Sequence, residues 1–318
     1  MEPMIWSYFL QLSEHMWDPV GTPIRGLYTV RHPVTEENET DVNTWDKLVD
    51  FIAEHQYNML VIDVGDALLY ESHPEISAPD AWSKDFLKKK LAEIRAKGIE
   101  PIPKLNFSTG HCIWLKEYRN MISTPTYYKV CADLIAEVCE VFGYPRLFHL
   151  GLDEEDAAHQ RYQKSIIVRQ GEHWWHDAFF LFKECEKHGA RPWVWSDYYW
   201  HHPELFAKNM PKSVLQSNWF YGDFSIKDEQ KRMPIQAYLD LEQLGYDQVP
   251  TPSTWTLPTG VNEFQTLEFC REHIDPSRLK GFLTVSWTFT HPEWEYMLKN
   301  DAYLFYLARK RFYPETLK

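Results

Sequence analysis

Four consecutive acidic residues follow an apolar run in the stretch FHLGLDEED, residues 148–156. Glycoside cleavage needs a protonated acid at the leaving oxygen and a second group that stabilises the oxocarbenium-like centre, so paired carboxylates suit that reaction. Asp153 and Glu154 come first, where the backbone turns at the end of a predicted strand and both side chains can reach one pocket. Glu155 and Asp156 are expected to face solvent or to begin the next helix, and a solvated acidic helix start is the alternative for Asp153 and Glu154 as well.

Polar and aromatic residues also follow the other apolar runs of the sequence. Tyr and Trp rings stack on the C–H faces of a pyranose, while carboxylate, amide and ammonium groups bind its hydroxyls. This combination predicts a carbohydrate-binding pocket. The further candidates for substrate binding are Asp63, Lys104, Asn106, His111, His149, Asp197, Tyr199, Trp219, Tyr221, Trp255 and Trp287. Other polar or aromatic residues at predicted strand ends are Glu14, His15, Trp17, Asp18, Asp66, Tyr198, Gln216 and Asn218.

The histidines near these strand ends do not have the spacing of a metal site. No two of them lie four residues apart with an acid between, as they do on a zinc-binding helix, so neither a metal nor another cofactor is predicted. His149 is interpreted as a buried supporting residue, and Lys104 as a hydrogen-bonding or ion-paired group rather than a Schiff-base lysine. The histidines considered as ligands are His111, His159, His201 and His202.

These candidates must be positioned by the elements that precede them. Eight short apolar runs, rich in β-branched and aromatic residues, alternate with segments of helical periodicity, which predicts an α/β fold of the (β/α)8 TIM-barrel type. A single catalytic domain over residues 1–318 is expected, with an inserted hairpin or loop around 18–40; RGLYTV (25–30) is the alternative to the first strand. The predicted strands are 5–12, 58–64, 100–107, 146–152, 191–197, 213–219, 247–252 and 280–287.

Composition and charge restrict the class of partner. The formal net charge of −13 argues against nucleic acid or an anionic membrane surface, since both attract basic patches. The five cysteines are scattered without a CxxC pair and are expected to be reduced. The N-terminal segment has no basic region ahead of an apolar one, so a cytoplasmic location is expected. The sequence gives no indication of the oligomeric state.

The stretch HLGLDE, residues 149–154, resembles the His-x-Gly-Gly-Asp-Glu signature of family 20 glycoside hydrolases, the β-N-acetylhexosaminidases. The segments RGLYTVRH (25–32) and TWDKLVDFIAEHQYNMLVIDVGD (44–66) are similar to the start of that family's barrel. Further stretches look like a bacterial branch of family 20-like barrels, and the resemblance runs over most of the chain. These stretches are PIPKLNFSTGH, FHLGLDEE, RPWVWSDY and VLQSNW.

The resemblance implies a substrate-assisted, retaining, exo-acting hydrolase of terminal N-acetylhexosamines. Glu154 would be the general acid/base, and Asp153 would orient the 2-acetamido group, whose carbonyl oxygen attacks the anomeric carbon to form an oxazolinium intermediate. Pairing of the two acids is expected to raise the pKa of Glu154 and keep it protonated. The residues implied in substrate contacts are Tyr199 or Tyr221 at the acetamido oxygen, Trp255 and Trp287 as pocket walls, and Arg31 at the sugar hydroxyls.

Two other functions remain open at this point. One is a two-carboxylate glycosidase for sugars without the acetamido group, using Glu154 with Asp197 or Asp63. The other is a barrel that binds glycans without cleaving them. Leu152 stands where the family signature has its second Gly, and a bulkier side chain beside the acids could alter the sugar-binding pocket.

Overall fold

The computed structural model describes residues 3–13, 15, 16, 39–161, 163–228 and 232–318. Seven strands form one parallel sheet in the order β6-β5-β4-β3-β2-β1-β7, and helices surround it, in agreement with the predicted barrel. The alternative first strand at 25–30 and residues 18–38 of the predicted insertion lie outside the described residues. The strands are β1 (Ile5–Gln11), β2 (Met59–Asp63), β3 (Glu100–Lys104), β4 (Leu147–His149), β5 (Arg191–Trp195), β6 (Leu215–Ser217) and β7 (Gly281–Thr284).

Strand residues alternate strictly between two hydrophobic clusters. The hydrophobic residues that fill the barrel interior have odd numbers in every strand but β3, such as Phe9, Val61 and Trp193, whereas β3 contributes the even-numbered Ile102. Even-numbered neighbours such as Tyr8 and Val194 belong to the cluster between the sheet and the helices. This period of two, repeated around a parallel sheet with matched register, aligns the inward-facing side chains in layers inside the barrel.

The predicted strand at 247–252 closes the barrel without forming a regular strand. Its amides donate to β6 and the following residues, from Val249 to the Gln216 carbonyl at 2.8 Å and from Thr251 to that of Asn218 at 2.9 Å. Towards β7 the alternate positions would donate, but two of these are Pro250 and Pro252, which have no N–H. Their carbonyls still accept from the β7 side, so the segment bridges β6 and β7 with an incomplete ladder.

The helices pack their apolar faces on the outside of the sheet. Two short helices after β5 were not predicted, because each spans too few residues to produce a clear period. Within the described residues, none of the helices combines the length and the apolar composition that crossing a membrane requires. The helices are α1 (Glu39–Glu54), α2 (Lys84–Ala96), α3 (Pro125–Val141), α4 (Glu172–Lys187), α5 (Tyr198–His201), α6 (Pro203–Asn209), α7 (Met233–Gln243), α8 (Val261–His273) and α9 (Glu295–Phe312).

Candidate active site

The backbone turns sharply where β4 ends. Gly151, Leu152 and Glu154 have φ values of 71°, 69° and 53°. A positive φ costs a residue with a Cβ about 1–2 kcal/mol, and such strain is concentrated at functional sites. The turn explains how the adjacent side chains of Asp153 and Glu154, which would face opposite sides of a regular strand, both reach the carboxyl end of the barrel.

Gly151 allows this turn to approach the chain that follows β3. A Cβ at Gly151 would lie 1.9 Å from Oδ1 of Asn106. That oxygen accepts hydrogen bonds from the amides of Ser108 at 3.0 Å and Leu152 at 3.3 Å, while Nδ2 of the same side chain donates to Asp153 Oδ1 at 2.9 Å. Asn106 therefore fixes the loops after β3 and β4 to each other and to the Asp153 carboxylate.

Replacing Gly151 by Ala is expected to lower the free energy of unfolding by roughly 2–4 kcal/mol, because the new Cβ overlaps Asn106 and the φ is unfavourable. Gly189→Ala is the matched control, since Gly189 has a φ of 79° and a Cβ added there would meet no neighbouring atom within 4 Å. Urea denaturation of both variants measures the difference. Equal destabilisation by the two substitutions would show that the approach of Gly151 to Asn106 is unimportant.

Asp153 is buried and held as a carboxylate. In addition to the bond from Asn106, its Oδ2 lies 3.2 Å from Nε2 of His111. Burial alone would raise the pKa of Asp153, but the charge and hydrogen bond of His111 outweigh this effect and lower the pKa below its usual value. The Ser108 hydroxyl donates to the Asp153 carbonyl and fixes the backbone at this position.

Glu154 lies between two histidines. Its Oε2 is 3.2 Å from Nε2 of His111, and its Oε1 is 3.2 Å from Nε2 of His159. Burial would raise the pKa of Glu154, but hydrogen bonds from both rings lower it well below its usual value. The expected upward shift in the pKa of Glu154 is therefore wrong, because the two histidines stabilise the carboxylate more strongly than burial disfavours it.

Asp197, which follows β5, differs from Asp153 and Glu154 because its pKa is raised. Burial, together with the negative charge of Asp153, raises the pKa of Asp197 to about 8. Its Oδ2 accepts from the backbone N–H of Glu154 at 2.8 Å, and its Oδ1 lies 3.4 Å from Nε1 of Trp219. Asp197 thus fixes the backbone of the acidic turn and one aromatic ring of the site.

Asp63, Lys104 and His149 lie beneath this constellation, in the barrel interior. The carboxylate of Asp63 forms a fully buried ion pair with Lys104, as the interpretation of Lys104 required. His149 is fully buried and accepts from the Gly151 amide at 3.1 Å through Nδ1. Burial and the nearby charge of Lys104 hold the pKa of His149 well below its usual value, so the ring is neutral. These residues support the site from below.

Four aromatic rings extend the barrel interior towards the strand ends. Trp219 and Tyr221 stack with ring centroids 5.0 Å apart, and both pack with Trp255 against the inner cluster that contains Trp287. Burial raises the pKa of Tyr221 well above its usual value, against a hydrogen bond with Trp287 that lowers it, and the charges of Asp153, Glu154 and Asp197 raise it further. Trp255 and Trp287 also line a cavity of about 490 Å³.

Several candidates face the helices instead of the pocket. The Tyr199 hydroxyl donates to Asp240 at 2.9 Å and its ring packs on Phe206 in the outer cluster, so the prediction that it contacts substrate is wrong. Tyr199 points away because α5 begins directly after Asp197, and the helical backbone reorients the side chains that follow. The outward-facing polar groups also include Tyr198, Gln216 and Asn218.

Leu152 also faces outwards. Its side chain is buried in the cluster between sheet and helices, so the departure from Gly in the family signature places no bulk beside the acids. Glu155, expected near solvent, is buried instead in an ion pair with Arg169, which also contacts Asp177 at 3.1 Å. This inward pair anchors the loop after Glu154 and could not be foreseen, because Arg169 lies 14 residues further along the chain.

The N-terminal candidates divide into described and undescribed residues. His15 and Asp66 contact each other, with Nδ1 of His15 2.7 Å from Oδ2 of Asp66, and Ser13 donates to the other carboxylate oxygen at 2.7 Å. This cluster joins the loops after β1 and β2. Lying outside the described residues are Glu14, Trp17, Asp18 and Arg31.

His111, Asp153 and Glu154 are also close enough to hold a metal ion, with donor atoms within 4.8 Å of one another. Burial would lower the pKa of His111, but the two carboxylates raise it to about 10, so its Nε2 carries a proton at neutral pH. A metal ligand must present a free lone pair. The donor set therefore fits an imidazolium shared between two carboxylates better than it fits a metal ion.

The sequence matches no protein-family model and no curated protein sequence. Its fold is similar to that of several solved structures. A chitobiase from Flavobacterium johnsoniae aligns over 99% of this chain and 52% of its own, with a TM-score of 0.64 and 14% identity. An exo-β-N-acetylglucosaminidase of family 20 from Vibrio harveyi, solved with N-acetylglucosamine, aligns over 99% and 58%, with a TM-score of 0.63 and 13% identity.

Dispersin B aligns over 95% of this chain and 98% of its own, with a TM-score of 0.58 and 15% identity. The chain thus spans little more than half of the length of the first two structures but nearly all of the third. The aligned part covers nearly the whole of this chain and therefore includes its parallel barrel. The described chain accordingly has the barrel fold that is found in these family 20 glycoside hydrolases.

Proposed function

We propose that this protein is a retaining, exo-acting β-N-acetylhexosaminidase that uses substrate assistance. The observation that carries the proposal is the joint delivery of Asp153 and Glu154 to the carboxyl end of the barrel, with both carboxylates within 3.2 Å of the same His111 nitrogen. The solvated acidic helix start does not account for this arrangement, because Asp153 is buried and α4 begins only at Glu172. The similarity to family 20 barrels supports the same assignment.

Asp153 would interact with the 2-acetamido group. A buried carboxylate that stays ionised can accept the acetamido N–H and stabilise the positive charge that develops as the carbonyl oxygen attacks C1. The low pKa of Asp153 and its fixation by Asn106 support this role. Tyr221, rather than Tyr199, is the tyrosine available to contact the acetamido oxygen.

Glu154 would protonate the leaving oxygen and then deprotonate the attacking water. The carboxylate retains partial exposure, with 27% of the side chain accessible, so one oxygen can be reached from the pocket. Trp219, Trp255 and Trp287 would bound the sugar, and no nucleophile from the protein is required because the substrate supplies it.

The two-carboxylate alternative is less well supported. Asp63 is fully buried and ion-paired with Lys104, which leaves it no path to a sugar. Asp197 already accepts a hydrogen bond from the backbone N–H of Glu154. Its pKa is about 8, so it is a poor nucleophile at neutral pH. Hydrolysis assays distinguish the proposed enzyme from a barrel that binds glycans without cleaving them.

The test is hydrolysis of four aryl β-glycosides with one leaving group, carrying GlcNAc, GalNAc, Glc or Gal. Turnover is expected only for the N-acetylated pair, with inhibition by a thiazoline mimic of the oxazolinium ion. Cleavage of the glucoside at a comparable rate would contradict substrate assistance. Quenching of Trp fluorescence by GlcNAc without any turnover would identify a binding protein instead.

A further inference from the structure

The loop after Glu154 places a second histidine on the proposed acid, on the side opposite His111. His159 Nε2 lies 3.2 Å from Glu154 Oε1, and its Nδ1 lies 2.7 Å from Asp156 Oδ2. Asp156 also accepts from the His159 backbone amide at 2.9 Å, so one carboxylate fixes both the turn and the ring. The three side chains form a continuous hydrogen-bonded series from Glu154 to Asp156.

The next residue holds this turn in place. Gln160 is fully buried and donates from Nε2 to the Ile167 carbonyl oxygen at 2.8 Å, while its Oε1 accepts from the Ile167 amide at 2.8 Å. Its Nε2 also lies 3.2 Å from the Thr109 hydroxyl, in the loop that follows β3. His159 is therefore presented to Glu154 by an anchored loop.

The two histidines differ in their access to solvent. The side chain of His111 is 2% exposed and its Nε2 is shared between Asp153 and Glu154. The side chain of His159 is 33% exposed, with Nε2 on Glu154 and Nδ1 on Asp156, so this histidine lies at the boundary between the acid and solvent. Among the residues that the structure describes, the charged groups that contact His159 are Glu154 and Asp156. Glu155 forms an ion pair with Arg169 instead.

We propose that His159, oriented by Asp156, is a positioning residue that acts through Glu154: it gives Glu154 its proton and takes one back after each turnover. The inference rests on the proposed function. The His159 imidazolium transfers its Nε2 proton to Glu154 Oε1, which gives a neutral imidazole and a protonated acid. Glu154 then protonates the leaving oxygen as the C1–O bond breaks. In the second step the attacking water gives a proton to Glu154, which returns one to His159, so the cycle closes.

The experiment compares His159→Gln with the wild type on two aryl β-GlcNAc substrates, one with a good leaving group that needs little protonation and one with a poor leaving group. With the poor leaving group, kcat/KM is expected to fall roughly tenfold or more, and with the good one to change little. Because the relay requires a protonated imidazole, activity is lost as pH rises through the pKa of His159. In the pH profile of kcat/KM, the alkaline limb of His159→Gln should therefore lie about one pH unit or more below that of the wild type.

Asp156→Asn tests the same relay without touching the ring and should reproduce the shift in weaker form. His273→Gln is the control, because His273 is an exposed histidine of α8 bonded to the carbonyl of Phe269 in its own helix. An unchanged pH profile and equal losses on both substrates would overturn the relay while leaving the hydrolase assignment intact. Absence of turnover by the wild type on both substrates would overturn the hydrolase assignment and the relay together.

Discussion

Glu154→Gln is expected to reduce kcat/KM about 10²–10⁴-fold on an aryl β-GlcNAc substrate with a poor leaving group. The amide retains the shape of the side chain and can still contact His111 and His159, but it cannot donate a proton to the leaving oxygen. A stopped assay of released phenol measures the loss. With a good leaving group the first step needs little acid catalysis, so the loss should be much smaller there.

Addition of azide distinguishes this loss from general damage to the fold. A small anion attacks the oxazolinium intermediate without the need for a general base, so azide should restore turnover of Glu154→Gln with the good leaving group and yield a glycosyl azide. Glu140→Gln is the matched control, since the Glu140 side chain is 56% exposed on α3 and contacts Lys88. Equal activity of wild type and Glu154→Gln on the poor leaving group would rule out Glu154 as the acid.

Asp153→Asn should reduce kcat about 10²–10³-fold on N-acetylated substrates, because it removes the negative charge opposite the developing oxazolinium ion. Binding of a thiazoline mimic should weaken by a similar factor, since such mimics report stabilisation of the intermediate. Steady-state kinetics and inhibition titrations measure both quantities. Loss of kcat with unchanged thiazoline affinity would contradict the role of Asp153 at the acetamido group.

The contacts of Glu154 with two histidines also constrain how this residue can act as an acid. His111 and His159 favour the ionised form of Glu154 and lower its pKa, whereas catalysis requires a protonated Glu154. Entry of a sugar that removes water and adds no charge raises the cost of separated charges, which favours transfer of the proton from histidine to carboxylate. The doubly hydrogen-bonded carboxylate is therefore compatible with the acid role, provided that the histidines release a proton.

The barrel was predictable from the sequence because its signal is repeated. Apolar runs and helical segments alternate eight times along the sequence. In a parallel barrel, the residues that follow the strands all lie at the same side. This reasoning brought together Asp153, Glu154, Asp197 and Trp219 correctly. It failed at Tyr199, where a helix begins one residue after the strand-end acid and turns the side chain outwards.

The electrostatics of the site were not predictable in the same way. The pKa of Glu154 depends on His111 and His159, which lie in irregular loops on either side of it, and no periodic pattern specifies where such loops return. Burial of Glu155 depends likewise on Arg169. The seventh predicted strand shows a different limit: its composition indicated the right position in space, but Pro250 and Pro252 withhold the amides that a regular ladder needs.

Pro250 and Pro252 leave the ladder between 247–252 and β7 incomplete. At Pro250 and Pro252 the hydrogen bonds to the β7 side run one way only, from the amides of Leu283 and Val285 to the proline carbonyls at 3.2 and 3.3 Å, and Trp255 and Trp287 follow these two segments. Opening free energies within a protein vary with local hydrogen bonding and packing, and each proline removes one amide donor that could resist separation at this edge. The two tryptophans that would bound the sugar therefore follow segments whose ladder lacks two amides, whereas Asp153 and Glu154 follow β4, which pairs with β5 in regular parallel register.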